Sequence, residues 1–155
     1  MNQSRNLILL ALFAFVVVVP GKLYAQAVPR QLRGKIITSY KPIDIPSAVK
    51  GFVGKLKKQD KKVIRKQEGG TWVIYFVAFF KKPLPSDSMG VVVLDGKGEP
   101  VAVADVGGQK GQTTLASQVT VDTTEFPGKK HTLQVYYAKG KKPVILAKKQ
   151  VILKK

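Results

Sequence analysis

The 155-residue chain contains no cysteine, a single histidine and a single tryptophan. Without cysteine there is no disulfide, no thiolate nucleophile and no lipid tether through an N-terminal cysteine. One histidine, His131, with no thiol to join it, falls short of the ligands zinc ordinarily takes. No serine stands in a nucleophile-elbow context beside a base, so a hydrolytic triad has no footing. His131 is expected to be a corner or surface residue. Acids are scarce as well, 9 against 27 lysines and arginines, for a formal net charge of +18. Three of the acids, Asp95, Glu99 and Asp105, fall on or beside one expected hairpin, where turns recruit carboxylates anyway. They leave open a carboxylate-type enzyme site or a calcium site, but their spacing matches no loop motif and lysines surround them. No catalytic residue, metal or cofactor is expected.

A positive start that includes Arg5 is followed by an apolar run over residues 7–19, then Pro20-Gly21 and Ala25-Gln26-Ala27. This is the pattern of a secretory signal peptide, with cleavage after Ala27 or, second, after Ala25. The run is shorter than the roughly 20 residues of a membrane span. An uncleaved N-terminal anchor is the competing reading. Residues 28–155 then form one domain, a bacterial protein exported to the periplasm or beyond, touching the membrane only transiently through the signal. Taking Arg5 and Lys22 away with that segment leaves 25 basic groups against 9 acids, a formal +16. Nearly all are lysines, hydrated point charges suited to attracting polyanions in general more than to one shaped anion pocket.

Residues 71–80, TWVIYFVAFF, are apolar at every alternate position on both sides. The aromatic and β-branched content and the flanking Gly69-Gly70 and Lys81-Lys82-Pro83 predict a central strand that needs cover on both faces. Residues 28–32 read as a loose start and 34–40 as a first strand. Ser47 stands as an N-cap before Ala48, Val49, Phe52, Val53 and Leu56, which share one arc of a helix over about 47–59. That helix should lie on one apolar face, or one end, of the central strand. Residues 62–67 are expected to pair with the central strand as a hairpin through Glu68-Gly69-Gly70, with continuation of the helix as the alternative. Strands follow at 89–94, 101–106, 114–121, 131–138 and 144–153, with a flexible Gly-rich hairpin loop at 107–111. That loop lacks the Gly-Lys-Ser/Thr ending of a phosphate loop. Lys148-Lys149 should interrupt the last strand, as suits a protected sheet edge. The fold class is therefore mainly β, an antiparallel sandwich of about seven or eight strands with one short amphipathic helix.

The stretch Phe126-Pro127-Gly128-Lys-Lys-His131-Thr-Leu133-Gln-Val135-Tyr136, with its following hairpin and last strand, resembles the end of immunoglobulin-like and fibronectin type III-like domains. In those families a tyrosine often holds the corner; here His131 takes its place. Trp72 is similar to their core tryptophan, without the accompanying cysteine pair. The resemblance, over residues 71–80 and 113–153, implies an immunoglobulin-like sandwich and no activity.

The remaining signal is a basic stretch: Lys55, Lys57, Lys58, Lys61, Lys62, Arg65 and Lys66. It is a candidate site for lipopolysaccharide, acidic polysaccharide, teichoic acid or an anionic protein surface, or else simply a solvated face. Nucleic acid is disfavoured because the chain is exported and no aromatics stand between the lysines for bases to stack on. The expected function is a non-enzymatic binding or accessory module of the cell envelope. The alternative is a structural subunit or adaptor using an exposed sheet edge; an enzyme with a site near Asp95 and Glu99 comes third.

Overall fold

The computed structural model describes residues 28–46, 50–122 and 129–155. The expected signal peptide, the Ser47 cap and the Phe126-Pro127-Gly128 corner lie outside the described residues. Among these the elements are β1 (Ile36–Ser39), α1 (Phe52–Gln59), β2 (Val63–Arg65), β3 (Trp72–Phe79), β4 (Ser88–Leu94), β5 (Pro100–Gly107), β6 (Thr114–Val121), β7 (Lys130–Lys139) and β8 (Lys142–Lys154). Two sheets result, ordered β1-β3-β6 and β2-β8-β7-β4-β5.

The doubly apolar run is the centre of the smaller sheet, antiparallel to β1 and β6 on either side. Trp72, Ile74, Phe76 and Ala78 point inward and meet Val91, Val93, Leu133, Val135, Val151 and Leu153 of the larger sheet. Val77 and Phe79 point outward and are buried under Phe52 and Leu56 of α1, with Leu32 and Ile37. The Phe52 and Phe79 rings meet edge to face, centroids 6.5 Å apart at 86°, a geometry worth about 0.5–1.5 kcal/mol beyond area. The helix covers only one end of that outer face, and Val73 and Tyr75 stay half-buried.

Several expectations need correction. Residues 28–32 are not loose: Val28 and Leu32 are buried in the outer cluster, and a turn closed by Leu32 N–H on Pro29 O at 2.8 Å holds them there. α1 begins at Phe52, and, of the expected helix over about 47–59, residues 47–49 lie outside the described residues. Gly51 has φ of 75°, a left-handed conformation that a right-handed helix cannot include. The sandwich is not wholly antiparallel. β2 does not form a hairpin with β3 but runs parallel to β8, Val63 opposite Ile152 and Arg65 opposite Lys154. Gly69 and Gly70, both at positive φ, turn the chain out of one sheet and into the other. Lys148 and Lys149 do not interrupt β8: Lys148 is exposed, Lys149 on the opposite face is half-buried and paired with Asp60, and β2 covers the far end of the strand's edge.

The loop at 107–111 is a crossover between sheets, not a hairpin, and it is pinned. Gly111 N–H donates to Leu84 O at 2.8 Å and Leu84 N–H to Gln112 O at 2.7 Å. The buried Gln112 amide donates to Thr114 O at 2.6 Å. A Cβ at Gly108 would stand 2.7 Å from Leu84 Cδ2 and 3.3 Å from Asp87 O, so a larger residue there would have to displace the buried Leu84 side chain.

Candidate polyanion-binding face

The basic stretch runs from α1 through β2, and its backbone is stitched to both sheets. On the β1 side, Lys61 N–H donates to Thr38 O at 2.6 Å and the Thr38 hydroxyl donates to Lys61 O at 2.5 Å. Thr38 N–H donates to Asp60 Oδ1 at 2.9 Å. On the β8 side, Ile152 N–H donates to Lys62 O and Lys66 N–H to Lys154 O, each at 2.8 Å. The Gln59 amide adds a reciprocal pair with the backbone of Asp44, at 2.7 and 2.8 Å. Lysines on such a frame lose little backbone freedom when they meet a ligand, which is what a binding face needs.

Lys55, Lys57, Lys58, Lys61, Lys62 and Arg65 are all exposed. Lys66 is half-buried, its ammonium 5.1 Å from the centroid of the Trp72 ring. The structure brings a residue to this face that local sequence did not suggest. The parallel register sets Lys154 beside Arg65, two like charges on adjacent strands. Lys148 and Lys155 are exposed on the same C-terminal segment. Pairing between positions so distant in the chain leaves no local signal.

Asp60 is the acid inside the stretch, and it is already engaged. Besides Thr38 N–H it accepts the Lys149 ammonium in an ion pair, the Lys149 side chain 16% and the Asp60 side chain 34% exposed. Burial pulls Lys149 below its ordinary value of 10.5, and the Asp60 hydrogen bond and charge oppose that shift. Asp60 therefore neutralises Lys149, and among the described residues no acid forms an ion pair with the outer lysines.

The carboxylates singled out by sequence do not converge. Asp95 is buried, and its Oδ1 accepts Lys97 N–H at 2.8 Å and Glu99 N–H at 2.9 Å. It is the residue that closes the β4–β5 turn. Glu99 is exposed at the turn, and Asp105 lies on β5 opposite Gly90, about 20 Å of strand away at 3.3 Å per residue. Among the described residues no group of three or more histidines and acids is placed to hold a metal ion. His131 is buried at the start of β7, not on the surface, and its Nδ1 lies 2.8 Å from Lys129 O.

The Glu99 amide is the main cause holding the Asp95 carboxyl below its ordinary 3.8; burial opposes it, and the Lys97 and Gly98 amides and the Lys97 charge assist. A lowered folded value means stability present above 3.8 and lost as pH falls through the folded value. Asp95→Asn is thus expected to melt below the wild type at neutral pH, with the gap closing on acidification below 3.8. Thermal melts followed by circular dichroism across pH 2–7 check this; a gap independent of pH contradicts it.

No family model matches the chain, and no curated protein matches it. Among solved structures it is similar to β-glucuronidase from Ruminococcus gnavus, in the apo form and in complex with an N1-substituted uronic isofagomine. Each likeness has 14% identity over 56% of this chain and a TM-score of 0.30. The chain spans only 13% and 14% of those two chains. At that score the likeness bears on neither fold nor activity.

Proposed function

We propose that the protein is an exported, non-enzymatic β-sandwich module that binds polyanions of the cell envelope through the α1–β2 face. The observation that carries this reading is the exposure of Lys55, Lys57, Lys58, Lys61, Lys62 and Arg65 along one segment hydrogen-bonded to both sheets, extended by Lys154 beside Arg65. Lipopolysaccharide, acidic polysaccharide, teichoic acid and anionic protein surfaces share the chemistry such a face recognises. The fold assigned here is immunoglobulin-like. The sheet order supports it: β1, β3 and β6 take the places of strands A, B and E, and β4, β7 and β8 those of C, F and G.

The test is salt-dependent retention on immobilised heparin. Lys57, Lys58, Lys61 and Lys62 replaced together by glutamine should elute at lower salt. The slope of log affinity against log salt should fall in magnitude by up to about 3.6, since each of the four lost contacts contributes about 0.9. Unchanged elution of the folded variant defeats the reading.

A second reading, an adaptor acting through a sheet edge, is favoured by β5 and β6. Both are eight-residue strands paired on one side, and neither carries a lysine to discourage strand addition. Binding of that kind would be insensitive to salt and to the four substitutions.

A further inference from the structure

The outer face of the larger sheet is not polar throughout. Where β5, β4, β7 and β8 lie side by side there is an open depression of about 480 Å³. Val92 and Leu94 of β4, Val103 of β5, Tyr136 of β7 and Ile145 of β8 line it. Val103 and Ile145 are 49% and 43% exposed. Lys141 and Lys142 stand at its β7–β8 end.

This apolar surface is built, because two register shifts create it. Val135 pairs with Ala147 but Tyr136 pairs with Ile145, so Leu146 is an extra residue on β8. Without that bulge Ile145 would share the inward face of Ala147, Val151 and Leu153; the bulge turns it out. A second shift lies between Val93 and Leu94, where Leu94 pairs with Pro100 and Val101 is skipped. Both bulges border the depression. Its wall is also fixed: the Tyr136 ring packs across Gly90, where a Cβ would sit 2.5 Å from the ring.

The geometry points to a binding site for a medium-chain fatty-acid carboxylate, its alkyl chain across β8, β7, β4 and β5 and its head on Lys141 and Lys142. Three observations select this occupant. The volume lies in the range of about 300–1,000 Å³ typical of small-molecule sites. Three strand spacings give about 14 Å across the apolar strip, room for one extended chain. The two lysines at one end complement a single anionic head. A second copy of the chain fits poorly, since face-to-face pairing sets one lysine rim on another in a chain of net charge +18. A protein partner fits poorly too, because 12 residues line the depression against about 20–30 a side in stable interfaces. The site is separate from the α1–β2 face and does not depend on it.

Calorimetric titration of the purified protein with dodecanoate, below its micelle concentration, tests the inference. Saturable one-site binding is expected, with dodecyltrimethylammonium weaker by about tenfold or more, equivalent to 1.4 kcal/mol. Ile145→Glu should weaken dodecanoate by at least about tenfold, and Lys141→Gln with Lys142→Gln by about fivefold. The second variant decides the matter if the first does not fold. The Lys57→Gln, Lys58→Gln, Lys61→Gln, Lys62→Gln protein should bind dodecanoate as the wild type does, whatever happens to its heparin retention. Absence of saturable binding, equal binding of the cation, or full affinity in both site variants would overturn the assignment.

Discussion

Trp72→Ala is expected to cost about 4–6 kcal/mol, the sum of a large aromatic truncation in a core and one lost hydrogen bond. Set against the 5–15 kcal/mol of an ordinary domain, that removes a large share of the stability, and nearly all of it at the low end of that range. The side chain is fully buried in the core between the sheets. Its indole N–H donates to Lys154 O at 3.0 Å, reaching from β3 in one sheet to the end of β8 in the other. The same carbonyl accepts Lys66 N–H at 2.8 Å, so both of its lone pairs are used where the basic stretch ends. Trp72→Phe separates the two contributions: the ring is mostly kept and only the donor is lost. That variant should lose about 1–2 kcal/mol beyond the change in packing. Urea denaturation followed by circular dichroism measures both, because Trp72 is the only tryptophan and its fluorescence disappears with it. Equal losses in the two variants would show that the cross-sheet hydrogen bond, not the packed ring, holds the layers together.

How much of this was legible in advance follows from which interactions are local. β6 spans the expected residues because Leu115, Val119 and Val121 stand out against polar neighbours and turn residues bound the run. β3 was legible from its aromatics, and the need for cover on its second face pointed to the helix. The partner of β2 was not. Val-Ile-Arg with one buried isoleucine has the same local pattern in a hairpin with β3 as in a parallel pair with β8. The start of α1 was hidden because apolar spacing from Ala48 to Leu56 continues across Gly51, and only the backbone angle there ends the helix. The outward side chain of Ile145 was not legible for a similar reason: strict alternation puts it inside, and one bulged residue puts it outside. Exposure of the lysines was legible because few acids were available to pair them. Their union with Lys154 was not, nor was the clasp that fixes them.

That clasp predicts the second large effect. Asp60→Ala is expected to cost about 2–4 kcal/mol, since it strips partners from two groups at once. Thr38 is fully buried, and its N–H would lose the Asp60 acceptor at 2.9 Å. Lys149, already pulled below its ordinary value by burial, would lose the carboxylate that counters that pull. The pair is only partly buried, so the cost falls short of what a fully enclosed one would show. Lys149→Met makes the argument asymmetric. It removes the desolvated ammonium and keeps an apolar stem, while Asp60 retains the Thr38 amide, so about 1 kcal/mol or less is expected. Asp60→Asn should fall between them, keeping an acceptor for Thr38 but no charge for Lys149. Urea midpoints for the three variants give the ordering directly. If Lys149→Met proved as costly as Asp60→Ala, the ion pair itself would be the source of stability and Thr38 a bystander. If all three were neutral, the Asp60 side chain would hold nothing, and the β1 side of the frame would rest on the two Thr38–Lys61 hydrogen bonds alone.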